Sequence, residues 1–340
     1  MSQRVVSLRN REGHALHCML EEPPVGLSRA TVAAVLLCPG VKTRVGPHRI
    51  YRKLSLPFLA RGIPVLRVDF RGLGDSEGDW PVESLAQMYR LTELGHCVED
   101  ARAALDWLES QLQIRNCIVG GLCGAAITAL HLARHDSRVA ALYAIGLPSR
   151  LNGSADPQRV SRGELQSHRL RFLRKLARPA SWLRFLLLRS DYRLMWRSLA
   201  ERWLKPGPAL APDLNPHLPT AFLALLRSGR PALLLFGEQD GARWDFEEKF
   251  LQPWADALDP YRAQIAYSVI SRANHILGDP ASIVEANRLT EAWLDAQLTP
   301  SIGRLERGSS LAGIHPRAVE CSRGREPIAG QASIEARPGG

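Results

Sequence analysis

Apolar positions fall into short unbroken runs separated by longer stretches of helical period. Thr31 to Cys38 (TVAAVLLC), Ile63 to Asp69 (IPVLRVD), Ile114 to Val119 and Val139 to Ile145 are such runs, and they read as strands, the first fully buried. Between them, His48 to Arg61 reads as a helix that stops before Gly62. Glu93 to Ser110 reads as an amphipathic helix with Cys97, Ala101, Ala104, Leu105 and Leu108 on one face, and Ala125 to Arg134 as another helix. Upstream, Arg4 to Asn10 and Ala15 to Glu21 flank Arg11-Glu12-Gly13 as a hairpin would. Strand followed by helix, repeated, predicts an α/β fold: a mostly parallel central sheet with helices on both faces.

The alternation breaks after residue 147. Residues 150–225 hold no strand pattern but carry apolar-basic helical stretches, Leu165 to Arg178 and Ser181 to Leu204, then a proline-rich link from Lys205 to Pro219. Strand patterns resume at Pro231 to Phe236 and Gln264 to Ile270, with helical patterns at Asp245 to Leu258 and Ile283 to Leu298. The organisation expected is therefore a core over 1–147 and 226–298, split by a helical insertion over 148–225. Residues 299–340, dominated by Gly, Ser, Pro, Ala and Arg without periodicity, read as a disordered tail.

Composition narrows the class. With 45% apolar and 23% charged residues the 340-residue chain is of globular type. It has no run of about 18 apolar residues that would span a membrane. Met1 to Glu21 lacks the basic-then-apolar order of a secretory signal. Six cysteines, at 18, 38, 97, 117, 123 and 321, form no CxxC pair. Neither a disulfide scaffold nor a metal site is expected, and a reducing cytoplasm is the natural setting. The net charge of +10 is local: Pro148 to Pro206 holds 14 Lys and Arg against 4 Asp and Glu. Charge confined to one segment, with no nucleic-acid motif, argues against nucleic-acid binding.

The strongest chemical signal is Gly121-Leu122-Cys123-Gly124-Ala125, lying between a strand and an apolar helix. Small residues around a nucleophile permit a strained strand-to-helix turn, and the helix N-terminus favours a thiolate. Two further candidates end strands, where open α/β sheets bind ligands. Asp240 follows PALLLF through Gly237-Glu238-Gln239, and His275 follows QIAYSVI within Ala273-Asn274-His275. Glu238 and Asp245 are alternative acids. The oxyanion donors expected are the N–H groups of Gly124 and of Val41, in the loop after TVAAVLLC. Asp69 to Gly78 (DFRGLGDSEG) reads as a scaffold loop with Arg71 bonded internally; it has neither dinucleotide nor P-loop spacing. For His48 and Arg49 two readings stand: they start the following helix, or they reach the pocket and bind a carboxylate or phosphate.

Taken together, these residues resemble the α/β-hydrolase superfamily over roughly 1–298: the elbow, the DFRGLGDSEG loop, Asp240 and His275 come in its order. Within it, Arg44-Val45-Gly46-Pro47-His48-Arg49, GIPVLRVDFRGLGDSEG and GLC are similar to the exosortase A system-associated hydrolases, which resemble serine-peptidase-type hydrolases but carry a cysteine elbow. The segment with Phe172, Arg174, Lys175 and Leu176 looks like their cap. The chain departs from them at Gly124, where an acidic residue is common, and at Asn274-His275, where Asp-His is usual.

The elbow and the order of the candidates predict a Cys123–His275–Asp240 triad that cleaves an ester, thioester or lactone of a small-molecule acyl substrate, with no cofactor; the resemblance implies a link to exported-protein sorting or exopolysaccharide gene clusters. Dienelactone hydrolases use cysteine in this fold. Two rivals stand beside that reading. Polyhydroxyalkanoate synthases also present GxCxG, which makes acyl transfer an alternative. The other is a non-catalytic accessory protein whose cap, with Arg169, Arg171, Arg174, Lys175 and Arg178 among Leu170, Phe172, Leu173 and Leu176, docks a protein partner or an anionic membrane surface.

Overall fold

The computed structural model describes residues 2–28, 30–151 and 213–298. The stretches Leu165–Arg178 and Ser181–Leu204 and the expected tail lie outside these residues.

An N-terminal hairpin, β1 (Ser2–Arg9) and β2 (Ala15–Glu22), opens the chain. Its turn is closed by Asn10, whose side-chain oxygen accepts the N–H groups of Glu12 (3.1 Å) and His14 (3.0 Å). Then come β3 (Val32–Leu37), α1 (Ile50–Leu54), α2 (Leu56–Leu59), β4 (Val65–Val68), α3 (Leu85–Glu93), α4 (Val98–Leu112), β5 (Asn116–Leu122), α5 (Gly124–His135) and β6 (Val139–Ile145). After the insertion follow α6 (His217–Arg227), β7 (Ala232–Gly237), α7 (Gly241–Phe246), α8 (Ala255–Leu258), β8 (Ile265–Ile270) and α9 (Pro280–Leu298).

The strands form one sheet in the order β1-β2-β4-β3-β5-β6-β7-β8. The β1/β2 and β2/β4 pairs are antiparallel and all others parallel, so β3 to β8 end at the same edge. Strand residues alternate between two cores, as a period of two requires. Val35, Leu37, Val119, Leu142 and Leu234 face the side of α4, α5 and α6; Ala34, Leu36, Ile118, Tyr143 and Leu235 face α1, α2 and α9. Phe58 of α2 meets Tyr143 edge-on at 5.4 Å between ring centres.

Three expected helices differ. The one over 48–61 is a short turn at 47–49 followed by α1 and α2; His48 and Arg49, with left-handed φ of 52° and 56°, part the turn from α1. The one over 93–110 begins only at Val98, as α4: Glu93 ends the separate helix α3, and Gly95 with φ +94° lies between the two. The one over 245–258 is interrupted by a π turn at Glu247–Leu251, where the Gln252 N–H donates to the Glu247 carbonyl (3.0 Å).

The described stretches on either side of residues 152–212 meet at one point. Arg150 and Leu214 form an antiparallel bridge, flanked by Leu151 N–H to Asp213 O (2.9 Å) and Asn215 N–H to Ser149 O (2.8 Å). The core resumes sooner than the boundary at 225: Leu218, Ala221, Phe222, Leu225 and Leu226 of α6 are buried in the core on the α5 side. The polar look of Lys205 to Pro219 and the absence of a strand hid that helix.

Candidate active site

The sheet edge gathers the candidate residues. Cys123 sits between β5 and α5 with φ 56° and ψ −111°. Such a backbone costs about 1–3 kcal/mol in a non-glycine residue and persists only where its surroundings impose it. They do so here. The Cys123 N–H donates to Ile145 O of β6 (2.8 Å), and its carbonyl accepts the Ala126 N–H (2.9 Å) as α5 begins. The flanking glycines make room. A Cβ on Gly121 would stand 2.6 Å from the Tyr51 hydroxyl, and one on Gly124 would stand 2.5 Å from Pro39 O.

His275 arrives on the loop after β8. Its Nδ1 lies 2.9 and 3.0 Å from the two Asp240 carboxylate oxygens, and Cys123 is near enough to influence the charge on the ring. Asp240 is buried, and its Oδ1 accepts the Ala242 N–H (2.9 Å) as the cap of α7, which fixes the carboxylate. Burial is the largest single influence and works against charge on His275, but the Asp240 carboxylate and Cys123 together outweigh it. The imidazole pKa is accordingly raised well above 6.5.

The alternative acids are engaged elsewhere. Glu238 accepts the Arg272 N–H (2.6 Å) and so braces the His275 loop. Asp245 pairs with Lys249 (3.1 Å), which also binds Asp213 (2.6 Å) at the neck of the insertion. Asn274 accepts the Gly278 N–H (2.9 Å) and closes the same loop.

The N–H groups of Val41 and Gly124 make no hydrogen bond to another described residue. Their segments touch at Pro39 and Gly124, with the buried Thr92 against both: a Cβ on Gly40 or on Gly124 would stand 2.9 Å from Thr92 Cγ2. The loop carrying Val41 is pinned by Arg44. Its backbone N–H and guanidinium both bond the buried Asp69, and the guanidinium also reaches Asp75 (3.1 Å). Arg71 bonds the buried Asp100 through its backbone N–H (2.9 Å) and its guanidinium (2.9 Å), so the DFRGLGDSEG loop is a rigid scaffold. His48 and Arg49 are exposed on the turn into α1, without hydrogen bonds or ion pairs to other described residues.

Three contributors were not expected from the sequence. Gly146, after β6, lies against both His275 and Asp240, Tyr51 reaches the end of β5, and Thr92 stands beside both oxyanion segments. The described thiols other than Cys123 are buried, and burial pushes Cys18, Cys38, Cys97 and Cys117 upward, Cys117 to about 12. Among the described residues no group of three or more His, Cys, Asp or Glu is placed to hold a metal ion, and no helix is long and apolar enough to cross a membrane.

A sheet of this order with a tight turn after β5 and acid and histidine after β7 and β8 is the α/β-hydrolase architecture. Residues 34–310 match the model of the alpha/beta hydrolase family, and the chain belongs to that family. Similar solved structures include an esterase from Pyrococcus furiosus, 13% identical with a TM-score of 0.53 over 87% of this chain and 91% of that one. A hypothetical protein from Pseudomonas aeruginosa is 18% identical, with a TM-score of 0.53 over 87% and 93%. At such identities the likeness is one of fold. No curated protein matches the chain in sequence.

Proposed function

We propose that the chain hydrolyses an ester, thioester or lactone through an acyl-cysteine intermediate. The observation that carries this reading is a half-buried cysteine in a left-handed turn, near an imidazole that is bonded to a buried carboxylate.

In this mechanism the Cys123 sulfur attacks the acyl carbon and its proton resides on His275. The carbonyl π pair moves to oxygen, which accepts the N–H groups of Val41 and Gly124. Loss of one such donor typically costs about 10²–10³ in rate. Collapse expels the alcohol or thiol, which takes the proton from His275. Water then attacks the acyl-cysteine, giving a proton to His275, and the second collapse releases acid and restores the thiol. Asp240 holds the ring and its charge throughout. Sulfur is itself a good leaving group, so activated acyl groups suit this site better than amides.

The RVGPHR and GLC stretches support a kinship with the exosortase-associated hydrolases in this reading. The basic insertion then serves as a cap, and a cytoplasmic location agrees with the unpaired cysteines. The test is hydrolysis of short p-nitrophenyl esters and acyl thioesters by the wild type and Cys123→Ala. Loss of turnover in the variant is expected, with an acyl adduct on the Cys123 peptide of the wild type. Equal rates would remove Cys123 as nucleophile.

A further inference from the structure

Leu122 is the last residue of β5 and immediately precedes Cys123. The two N–H groups at this point aim in opposite directions across the sheet, as strand geometry requires. That of Cys123 meets β6 at Ile145 O (2.8 Å). That of Leu122 faces the β3 side, but pairing with β3 ends at Leu36 and Gly120. Its acceptor is a side chain: the hydroxyl of Tyr51, at 2.9 Å.

Tyr51 is fully buried, and Gly121 admits it, since a Cβ there would lie 2.6 Å from the hydroxyl. It belongs to α1, directly after the loop that carries Val41 and Arg44, and its own N–H meets Val45 O of that loop (3.4 Å). Ser55 Oγ donates to its carbonyl (2.8 Å). One phenol therefore ties the candidate oxyanion segment to the candidate nucleophile turn.

We propose that Tyr51 is the positioning residue of the elbow: its hydroxyl replaces the missing strand neighbour and holds Leu122, and so the Cys123 sulfur, in register with His275 and the Val41 N–H. The role rests on the reading of Cys123 as nucleophile. Tyr51→Phe keeps the ring and its packing but leaves the Leu122 N–H without its acceptor.

The experiment compares the wild type with Tyr51→Phe in two assays. One is the second-order rate of Cys123 alkylation by iodoacetamide from pH 6 to 9, read by peptide mass; the other is kcat and KM on a p-nitrophenyl ester. Misplacing a reacting atom by a fraction of an ångström lowers rates steeply. Alkylation about tenfold slower at neutral pH is expected, with kcat lower by a similar factor and KM unchanged. A folded variant, judged by near-UV circular dichroism, that alkylates and turns over like the wild type overturns the proposal.

Slower alkylation in the variant, in a protein whose wild type cleaves no ester, sustains the positioning role while the hydrolase reading fails. Hydrogen exchange in the wild type gives an independent check. The Leu122 amide is expected to exchange only with the slowest core amides, and fast exchange there overturns the proposal even if the variant does not fold.

Discussion

A methyl group on Gly146 would stand 2.9 Å from Cε1 and 3.0 Å from Nδ1 of His275, and 3.0 Å from Oδ2 of Asp240. The backbone at Gly146 cannot retreat, because its N–H is held by Leu235 O of β7 (2.8 Å) and its φ is +59°. The imidazole and carboxylate are thus packed onto bare backbone at the end of β6. Gly146→Ala is expected to displace the ring and lower kcat/KM by roughly 100-fold. The left-handed φ adds a stability loss of about 1–2 kcal/mol. Steady-state kinetics beside urea unfolding check this. A variant that loses the stability and keeps its kcat would show that the ring does not rely on this contact.

Asp240→Asn tests the charge on His275. The folded pKa of His275 lies above its unfolded value near 6.5. Its contribution to stability is therefore complete below about pH 6.5 and disappears as pH rises through the folded pKa. Removing the carboxylate charge should move the ring titration down, as read from its Cε1–H resonance. The stability deficit of the variant should be largest near pH 6 and shrink at alkaline pH. A deficit that grows with pH would contradict the assignment of Asp240 as the group that holds the proton on the ring.

The fold was legible because its central strands are apolar runs that break at Pro39-Gly40, Gly62 and Gly237, and because Gly121 and Gly124 bracket a reactive side chain between strand and helix. Chain order and strand ends singled out Asp240 and His275. Nothing in one dimension could report the 2.9 Å between them, which is set by β7 and β8 lying side by side in parallel. Gly146 and Tyr51 were illegible for the same reason: each acts on a residue from another strand. Helix α3 was missed on different grounds. Its exposed Leu85, Ala86 and Gln87 give no apolar stripe, and its signal is a cap, the Ser84 hydroxyl accepting the Gln87 N–H (3.3 Å). The break at 48–50 comes from two non-glycine residues in left-handed geometry, which sequence rules assign to glycine.

Arg44 offers a test of the loop that carries Val41. Asp69 is fully buried; burial pushes its carboxyl pKa up, against the pull of the Arg44 donors. Arg44→Met would strand that carboxylate, and breaking a buried pair from one side costs about 3–5 kcal/mol. Arg44→Met combined with Asp69→Asn should recover part of the loss, because the uncompensated charge is gone. Neither change touches Cys123 directly, so alkylation of its thiol should persist in the folded fraction while ester turnover drops. Urea unfolding of the four proteins of the cycle measures the coupling, and additive effects would mean that the pair is not what pins the loop.

The cysteines themselves provide the most direct chemical contrast. Alkylation requires thiolate and access, and a thiol at about 12, such as Cys117, is ionised at pH 8 in roughly one molecule in ten thousand. Cys18, Cys38 and Cys97 are raised too, and all four are enclosed in the core, so they should react only after unfolding. Cys123 lies at the start of α5, near the imidazole and partly open to solvent, where a reagent can reach it. Limited iodoacetamide treatment of the native protein at pH 7.5, followed by peptide mapping, should therefore label the Cys123 peptide before those of the four core cysteines. Prior exposure to a cleavable thioester should protect it for as long as the acyl group remains. Labelling that spares Cys123 while reaching any of those four would place the reactive sulfur elsewhere and remove the basis for an acyl-cysteine at this turn.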